Sequence, residues 1–522
     1  MGGALGREST VRRVADAPRA GLACAALAVA LLAVHFASFG LGRAVSTDVR
    51  YSVYFSSRAA AGDVPHRDFF DNRTPMSTML GGAFIRVGAA LGVDPLSAMR
   101  AGCLAIAAAT GVLLFAVHRR LFLGDDVAGL AGLLAYLGFP LLGVLPSIGP
   151  FPKVSMNLFA LAAALLADRE RWALAGAAGA LAALDWQIAG LAAIGVLLAA
   201  LVAPRRTPRA AARVVAGGGA VAAATALWLG AAGALPAALR QVVGSAFARG
   251  ASSFEAEGGG SVAGRVLQVL AMGCRGHLWL VAVGVVGSVA FAAAAPRLRR
   301  EGLGRLAIPL AVHEYGMVAF SLLDFQRFGD LYALVQSLAF FAGFAFATTA
   351  VALQTAARRG DSPGSAGPRR RELAATVAAL AALALAVRPA WLRGEIDLRT
   401  RATPVAATLE GQRDVAAQVA ARFAGKRLGV IGPSEILLLS GVENAIPFVY
   451  WNAAPWSFYR SSVDEPERET LRRVLLAARL DGIVYPEQRL GSDDVLARDY
   501  ERVDLVSADG SYSLPLLVRR GS

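Results

Sequence analysis

Residues 43–75 read RAVSTDVRYSVYFSSRAAAGDVPHRDFFDNRTP, a stretch of acids, bases and aromatics that follows the first long apolar segment. The rest of the chain is mostly Ala, Leu, Val and Gly. A polar stretch beside a long apolar segment is typical of a loop at a membrane surface. We therefore interpret the rest of the chain as the scaffold that holds this loop. Asp48 is the main candidate in the loop for a catalytic residue.

The composition indicates a polytopic membrane protein. The 522 residues are 56% hydrophobic and 17% charged, and the mean hydropathy is +0.52. These values are too apolar for an ordinary soluble domain. The formal charge of +14 lies in short basic clusters between apolar runs, as in cytoplasmic loops, so no nucleic-acid partner is predicted. The cysteines, Cys24, Cys103 and Cys274, lack the spacing of metal ligands.

Two rules predict the topology: a span needs about 20 apolar residues, and loops rich in Lys or Arg stay inside. Residues 1–20, with four arginines, are predicted to be cytoplasmic. The apolar run Gly21–Leu41 is predicted to be the first membrane helix, called helix 1, and an outer loop at 42–97 follows it. If residues 76–92 also spanned the membrane, the later basic loops would lie outside. We therefore predict that 76–92 form a juxtamembrane helix on the outer surface.

The membrane domain, 21–390, is predicted to be an all-α bundle of about eleven spans. It would be a multi-pass protein of the plasma (inner) membrane. After helix 1 the spans are predicted at 98–117, 126–146, 154–167, 172–184, 188–203, 211–232, 277–295, 304–322, 330–353 and 372–390.

Residues 391–522 regain an ordinary charge density and an α/β pattern. We predict a helix at 408–423, a strand at 427–431 and a strand at 482–485. The predicted topology makes this C-terminal domain extracytoplasmic, over the first loop. Its aromatic segment Trp451–Arg460 is suited either to contact a glycan or to dock onto the bundle.

Several outer polar residues are candidates for binding or catalysis, and each has a structural alternative. Asp48 is either a catalytic acid or base, or an N-terminal helix cap. Residues 66–75 either bind a phosphate or sugar through Arg67, Asp68, Asp71 and Arg73, or form a salt-bridged loop. Arg327 and Lys153 either neutralise a phosphate or extend to lipid headgroups.

Three further polar residues fall in apolar segments, and their roles remain open at this point. Asp185 is either functional or the cap of a break between two short helices. The neighbours His313 and Glu314 lie in a predicted span, where they either serve function or form hydrogen bonds inside the bundle.

Four features of the loop order resemble the GT-C membrane glycosyltransferases that use polyprenyl-phosphate sugars, such as the protein mannosyltransferase and lipid A aminoarabinose transferase families. These are Asp48 just after helix 1, GDVPHRDFFDNRTP at 62–75, RRLF at 119–122 and RFGDLY at 327–332. The resemblance covers about residues 20–350. It implies a transferase with a polyprenyl-phosphate sugar donor and a lipid, glycan or protein acceptor on the outer face.

By this resemblance Asp48 would be the general base, and cations led by Arg327 would stabilise the leaving phosphate. Membrane lipids are the remaining partner. The chain has no Walker loop, HExxH or GxSxG motif, so soluble-nucleotide chemistry has no support. No cofactor is assigned, and a divalent metal stays an open alternative.

The sequence departs from the family pattern at two turns. Residues 152–155 (PKVS) lack an acid that relatives often have, which removes the second carboxylate expected of a divalent metal site. Residues 185–187 (DWQ) stand where relatives often have a Lys or Arg, which removes one phosphate ligand. The competing class is a transporter or lipid-glycan scaffold, including an inactive family member. A transporter is expected to have its polar sites near the midplane of the membrane. Here the polar clusters are predicted at the outer membrane boundary, which favours the transferase.

Overall fold

The computed structural model describes most of the chain between residues 41 and 521. The described ranges are 41–45, 49–139, 152–202, 208–244, 278–324, 331–359, 407–451, 453–460, 464–485 and 494–521, with single residues 26, 30, 33, 142, 149 and 264. The predicted span 372–390 lies outside these ranges, as does nearly all of helix 1.

The first loop and the bundle are helical. In chain order the helices are α1 (Val49–Ala61), α2 (Met76–Ala90), α3 (Pro95–Leu121), α4 (Asp126–Gly138), α5 (Pro152–Asp168), α6 (Trp172–Asp185), α7 (Leu191–Val202), α8 (Pro208–Ala231), α9 (Leu235–Leu239), α10 (Leu278–Arg300), α11 (Gly304–Asp324) and α12 (Leu331–Arg359). A 3₁₀ turn (Gln187–Gly190) precedes α7, and a π turn (Arg240–Gly244) follows α9.

A helix lies at each of the nine spans predicted between residues 98 and 353. Among the described residues, four helices are long and apolar enough to cross a membrane: α3, α8, α10 and the part of α12 from Ala333 to Ala356. Helices α4, α6 and α7 are apolar but shorter. These helices make the chain an integral membrane protein, while the number of about eleven spans stays a prediction.

Local sequence signals account for the ends of α3. The side chain of Asp94 accepts a hydrogen bond from the Ser97 amide at 3.1 Å, and Pro95 occupies the first turn. Both are favoured at a helix start. The last turn carries His118, Arg119 and Arg120, whose positive charge suits the negative end of the helix dipole.

Glycines allow close packing between α6 and α8. A Cβ atom added at Gly176 would overlap the carbonyl group of Val214, and one at Gly217 would overlap that of Ala173. Without a strong hydrophobic drive between helices in lipid, such small-residue contacts supply much of the association energy.

Helix α2 forms where the juxtamembrane helix was predicted. At 15 residues it is about 22 Å long, which is too short for a hydrocarbon core of about 30 Å. It packs against α1 and α3 and leaves Val87 60% exposed. This geometry is that expected of a surface helix, although its depth in a membrane stays a prediction.

Residues 407–521 form an α/β layer. Its elements are α13 (Leu409–Arg422), β1 (Leu428–Val430), α14 (Glu435–Ser440), α15 (Ala453–Arg460), α16 (Glu467–Ala477), β2 (Gly482–Val484), α17 (Asp494–Asp499), β3 (Tyr500–Val506) and β4 (Ser513–Arg519). The strand order is β1-β2-β4-β3, with β1 and β2 parallel and the other pairs antiparallel. The predicted helix and both predicted strands are present, whereas the β3–β4 hairpin was not anticipated.

The described part of the C-terminal domain, residues 407–521, packs on the first loop. The Phe70 amide donates to the Pro447 carbonyl at 2.7 Å, and the Tyr450 hydroxyl donates to Asn72 Oδ1 at 2.6 Å. The rings of Phe70 and Phe458 meet edge to face, with centroids 5.5 Å apart. Within residues 451–460, Phe458 packs on the first loop, and the two interpretations of this segment, contact with a glycan or docking onto the bundle, stay predictions.

The predicted topology can be tested by cysteine labelling in a variant whose native cysteines are replaced. We expect Arg67→Cys to react with an impermeant thiol reagent added outside, because this side chain is 47% exposed on the loop predicted to be external. Arg206→Cys, in a predicted inner loop, should react only after permeabilisation. The reverse pattern would contradict the topology.

Candidate active site

The turn between α1 and α2 is organised by His66. The His66 amide donates to the Phe69 carbonyl at 3.0 Å, and His66 has a φ of 71°. This left-handed conformation is uncommon for a residue with a side chain. His66 Nδ1 lies 2.9 Å from the Asp71 carbonyl and 3.1 Å from Gln241 Oε1. Since both atoms are acceptors, we assign the proton to Nδ1.

Gln241, in the π turn, connects this loop to the end of α9. Its Nε2 donates to the His66 carbonyl at 2.9 Å, and its Oε1 accepts from the Asp71 amide at 3.0 Å. The side chain is 4% exposed. Sequence reasoning missed this residue, and the only available signal was a lone Gln in the apolar run around it. These bonds fix the start of the segment that carries Asp71 and Arg73.

Asp71 and Arg73 form an ion pair in which the acid is fully buried and the arginine is 19% exposed. Asp71 is 0% exposed, and its Oδ1 accepts from Arg73 Nε at 3.1 Å and from the Arg73 amide at 3.0 Å. Arg73 Nη1 also donates to Ser52 Oγ on α1 at 2.8 Å, and the guanidinium lies 5.3 Å from the Phe55 ring centroid. Arg73 is thus held in one orientation by groups from both α1 and the loop.

Arg67 and Asp68 occupy the turn itself. Arg67 donates to both carboxylate oxygens of Asp68 at 2.8–2.9 Å and to the Ala232 carbonyl at 3.0 Å. Asp68 Oδ2 also accepts from the Val64 amide at 2.7 Å. The bond from Arg67 holds the pKa of Asp68 below its ordinary value, against the opposing effect of burial. These contacts are those of a salt-bridged turn.

The two turns at which the sequence departs from the family pattern lie side by side. The Ser155 hydroxyl on α5 donates to Asp185 Oδ2 at the end of α6. Lys153 Nζ lies 4.9 Å from the Trp186 ring centroid. Asp185 is 0% exposed. The Ser155–Asp185 hydrogen bond therefore brings the start of α5 and the end of α6 together.

The other candidates from the sequence lie either outside the described residues or inside α11. Asp48, immediately before α1, and Arg327, between α11 and α12, lie outside the described residues. His313 and Glu314 are buried within α11, 2% and 0% exposed. In the described part of the chain, no three His, Cys, Asp or Glu side chains come together as a metal site.

No protein-family model and no curated protein matches the sequence. Solved structures do match. The apo crystal structure of ArnT from Cupriavidus metallidurans aligns with 94% of this chain and 97% of its own length, at 13% identity and a TM-score of 0.55. ArnT from the same organism bound to undecaprenyl phosphate aligns with 96% of this chain and 98% of its own, at the same identity and score. The GT-C-like fold expected from the loop order is thereby confirmed.

Proposed function

We propose that this chain, which has the fold of ArnT, transfers a sugar from a polyprenyl-phosphate donor to a hydroxyl or other nucleophilic group of an acceptor. The site would lie on the membrane face that carries the first loop and the C-terminal domain. The observation that carries the proposal is Arg73, a guanidinium held by an ion pair to Asp71 and a hydrogen bond to Ser52, in a fold whose ArnT representative binds undecaprenyl phosphate.

The proposed reaction is a single displacement. The acceptor oxygen forms a bond to the anomeric carbon of the sugar, and the bond from that carbon to the phosphate oxygen breaks. The electron pair leaves with the polyprenyl phosphate, and Asp48 takes the acceptor proton. A carboxylate suits this role if it lies within hydrogen-bond reach of the attacking hydroxyl.

The leaving phosphate gains charge as the bond breaks, so cations fixed in advance accelerate the reaction. Arg73 carries a permanent positive charge that its bonds to Asp71 and Ser52 hold in place, and Lys153 carries a point charge beside Trp186. Asp71 already offsets part of the charge of Arg73, so a further cation would strengthen phosphate binding, and Arg327 is our candidate for it.

The C-terminal domain is proposed to handle the acceptor or cover the site. Its contacts with Phe70 and Asn72 support a position next to the loop that carries Arg73. Arg67 and Asp68 are proposed to contribute by holding the turn that leads to Asp71.

Sugar transfer by purified protein in lipid tests the proposal. With a panel of labelled polyprenyl-phosphate sugars, we expect transfer from at least one donor and competition by undecaprenyl phosphate. A transporter, a scaffold or an inactive family member would instead bind the lipid saturably without breaking the sugar–phosphate bond. That outcome would overturn the proposed enzyme activity.

A further inference from the structure

Two side chains from outside the first loop hold the segment that carries Arg73. The first is Gln241 of the π turn, which is bonded to the loop through both ends of its amide. Its Nε2 donates to the His66 carbonyl at 2.9 Å, and its Oε1 accepts from the Asp71 amide at 3.0 Å. Gln241 and Asp71 are 4% and 0% exposed. Losing these bonds would therefore leave buried polar groups unsatisfied, which is unfavourable.

Asp71 extends this constraint to Arg73. The Asp71 carbonyl lies 2.9 Å from His66 Nδ1, and its carboxylate accepts from the Arg73 amide at 3.0 Å and from Arg73 Nε at 3.1 Å. The Thr78 hydroxyl on α2 donates to the other carboxylate oxygen at 3.3 Å. The backbone and the side chain of Asp71 are thus both fixed, and the position of the Arg73 guanidinium depends on them.

The second side chain is Tyr450 of the C-terminal domain. Its hydroxyl donates to Asn72 Oδ1 at 2.6 Å, and Asn72 directly precedes Arg73. Tyr450 and Asn72 are each 7% exposed. The Tyr450 ring packs against Tyr51 on α1, with centroids 4.8 Å apart. Residues 71 and 72 are therefore held by side chains from two different parts of the fold.

The π turn and the C-terminal domain also contact each other. The Arg240 guanidinium lies 5.6 Å from the Phe458 ring centroid, and the Phe458 ring meets Phe70 edge to face. Single π turns in helices are rare and occur often at functional sites. The first loop, the π turn and the C-terminal domain thus meet around residues 70–73.

We propose that Gln241 and Tyr450 are positioning residues for Arg73. This inference rests on the proposed function, in which Arg73 stabilises the leaving phosphate. Each of the two side chains holds one of the residues that precede Arg73. A displacement of about 1 Å at a reacting group can reduce a rate by about 10²-fold. The transfer step would therefore depend on how the π turn and the C-terminal domain pack against the first loop.

The test compares Gln241→Met and Tyr450→Phe with wild type in the transfer assay. Met has nearly the size of Gln but lacks the amide, and Phe keeps the ring but lacks the hydroxyl. We expect each variant to lower kcat by about 10- to 100-fold with little change in KM for the donor, because Arg73 is proposed to act on charge that develops in the transition state. Gln418→Met is the matched control and should keep wild-type transfer, since Gln418 on α13 donates to the Val506 carbonyl within the C-terminal domain.

The same substitutions in a background that lacks Arg73 separate positioning from general destabilisation. The background is Asp71→Asn with Arg73→Gln, which removes both members of the ion pair. If Gln241 and Tyr450 act through Arg73, either substitution should cause little further loss there, because residues that act as a unit are not additive. An equal loss in both backgrounds, or a wild-type kcat in a single variant, would overturn the inference for that residue. Absence of transfer in the wild type would instead overturn the proposed function itself.

Melting temperatures of all variants accompany the assay. Tyr450→Phe removes only the hydroxyl and leaves the packed ring in place, so this variant decides the inference if Gln241→Met does not fold.

Discussion

Asp48→Asn is expected to lower sugar transfer by about 10²- to 10⁴-fold, the usual contribution of a positioned general base. The amide keeps the size of the carboxylate but cannot take up the acceptor proton. Residue 48 directly precedes α1 in the sequence, and Asn caps helices as well as Asp does. Loss of the charge at the helix start should reduce stability by only about 0.3–1 kcal/mol, so the melting temperature should change little.

Transfer assays and thermal unfolding on the same preparations separate the two interpretations of Asp48. Asp63→Asn is the matched control, because Asp63 lies on the same loop and pairs with Arg58; we expect it to retain wild-type transfer. If Asp48→Asn transfers at the wild-type rate while Asp48→Ala loses about 1 kcal/mol of unfolding free energy, Asp48 is a helix cap and not the base.

Arg73→Gln is expected to reduce kcat by about 10²- to 10³-fold, the loss typical when one preorganised donor to a developing charge is removed. The substitution also leaves Asp71 as a buried, unpaired carboxylate. Removing one partner of a buried ion pair reduces stability by about 3–5 kcal/mol. A loss of transfer in this single variant therefore has two explanations, lost phosphate binding and lost folding.

The double variant Asp71→Asn with Arg73→Gln resolves this ambiguity, because it removes both charges together. If Arg73 binds the phosphate, the double variant should recover thermal stability but not transfer. Recovery of transfer as well would mean that Arg73 serves only to neutralise Asp71. Arg297→Ala is the control for a change of charge, since Arg297 is 53% exposed on α10 and pairs with Glu301, the residue that follows this helix.

The prediction for Arg73 rests on the contacts that hold its side chain. Arg73 pairs with the buried Asp71 and donates to Ser52 on α1, so its guanidinium is held in place by two groups of the protein.

By itself, the sequence determined the features that depend on neighbouring residues. Apolar runs predicted helices at nine positions of the bundle, and charge and length predicted that 76–92 form a short separate helix. The same local patterns located α13, β1 and β2 in the C-terminal domain. Each of these depends on residues a few positions apart, whose periodicity or hydropathy is visible along the chain.

Only the tertiary structure decided which polar residues meet. Ser155 bonds to Asp185 across 30 positions, Gln412 to Val45 across 367, and Tyr450 to Asn72 across 378. No pattern in the sequence marks Gln241 or Gln412. A single glutamine has no periodicity, and its partner is a backbone group that every residue carries. Burial makes such bonds obligatory, and burial is set by how distant helices and strands pack together.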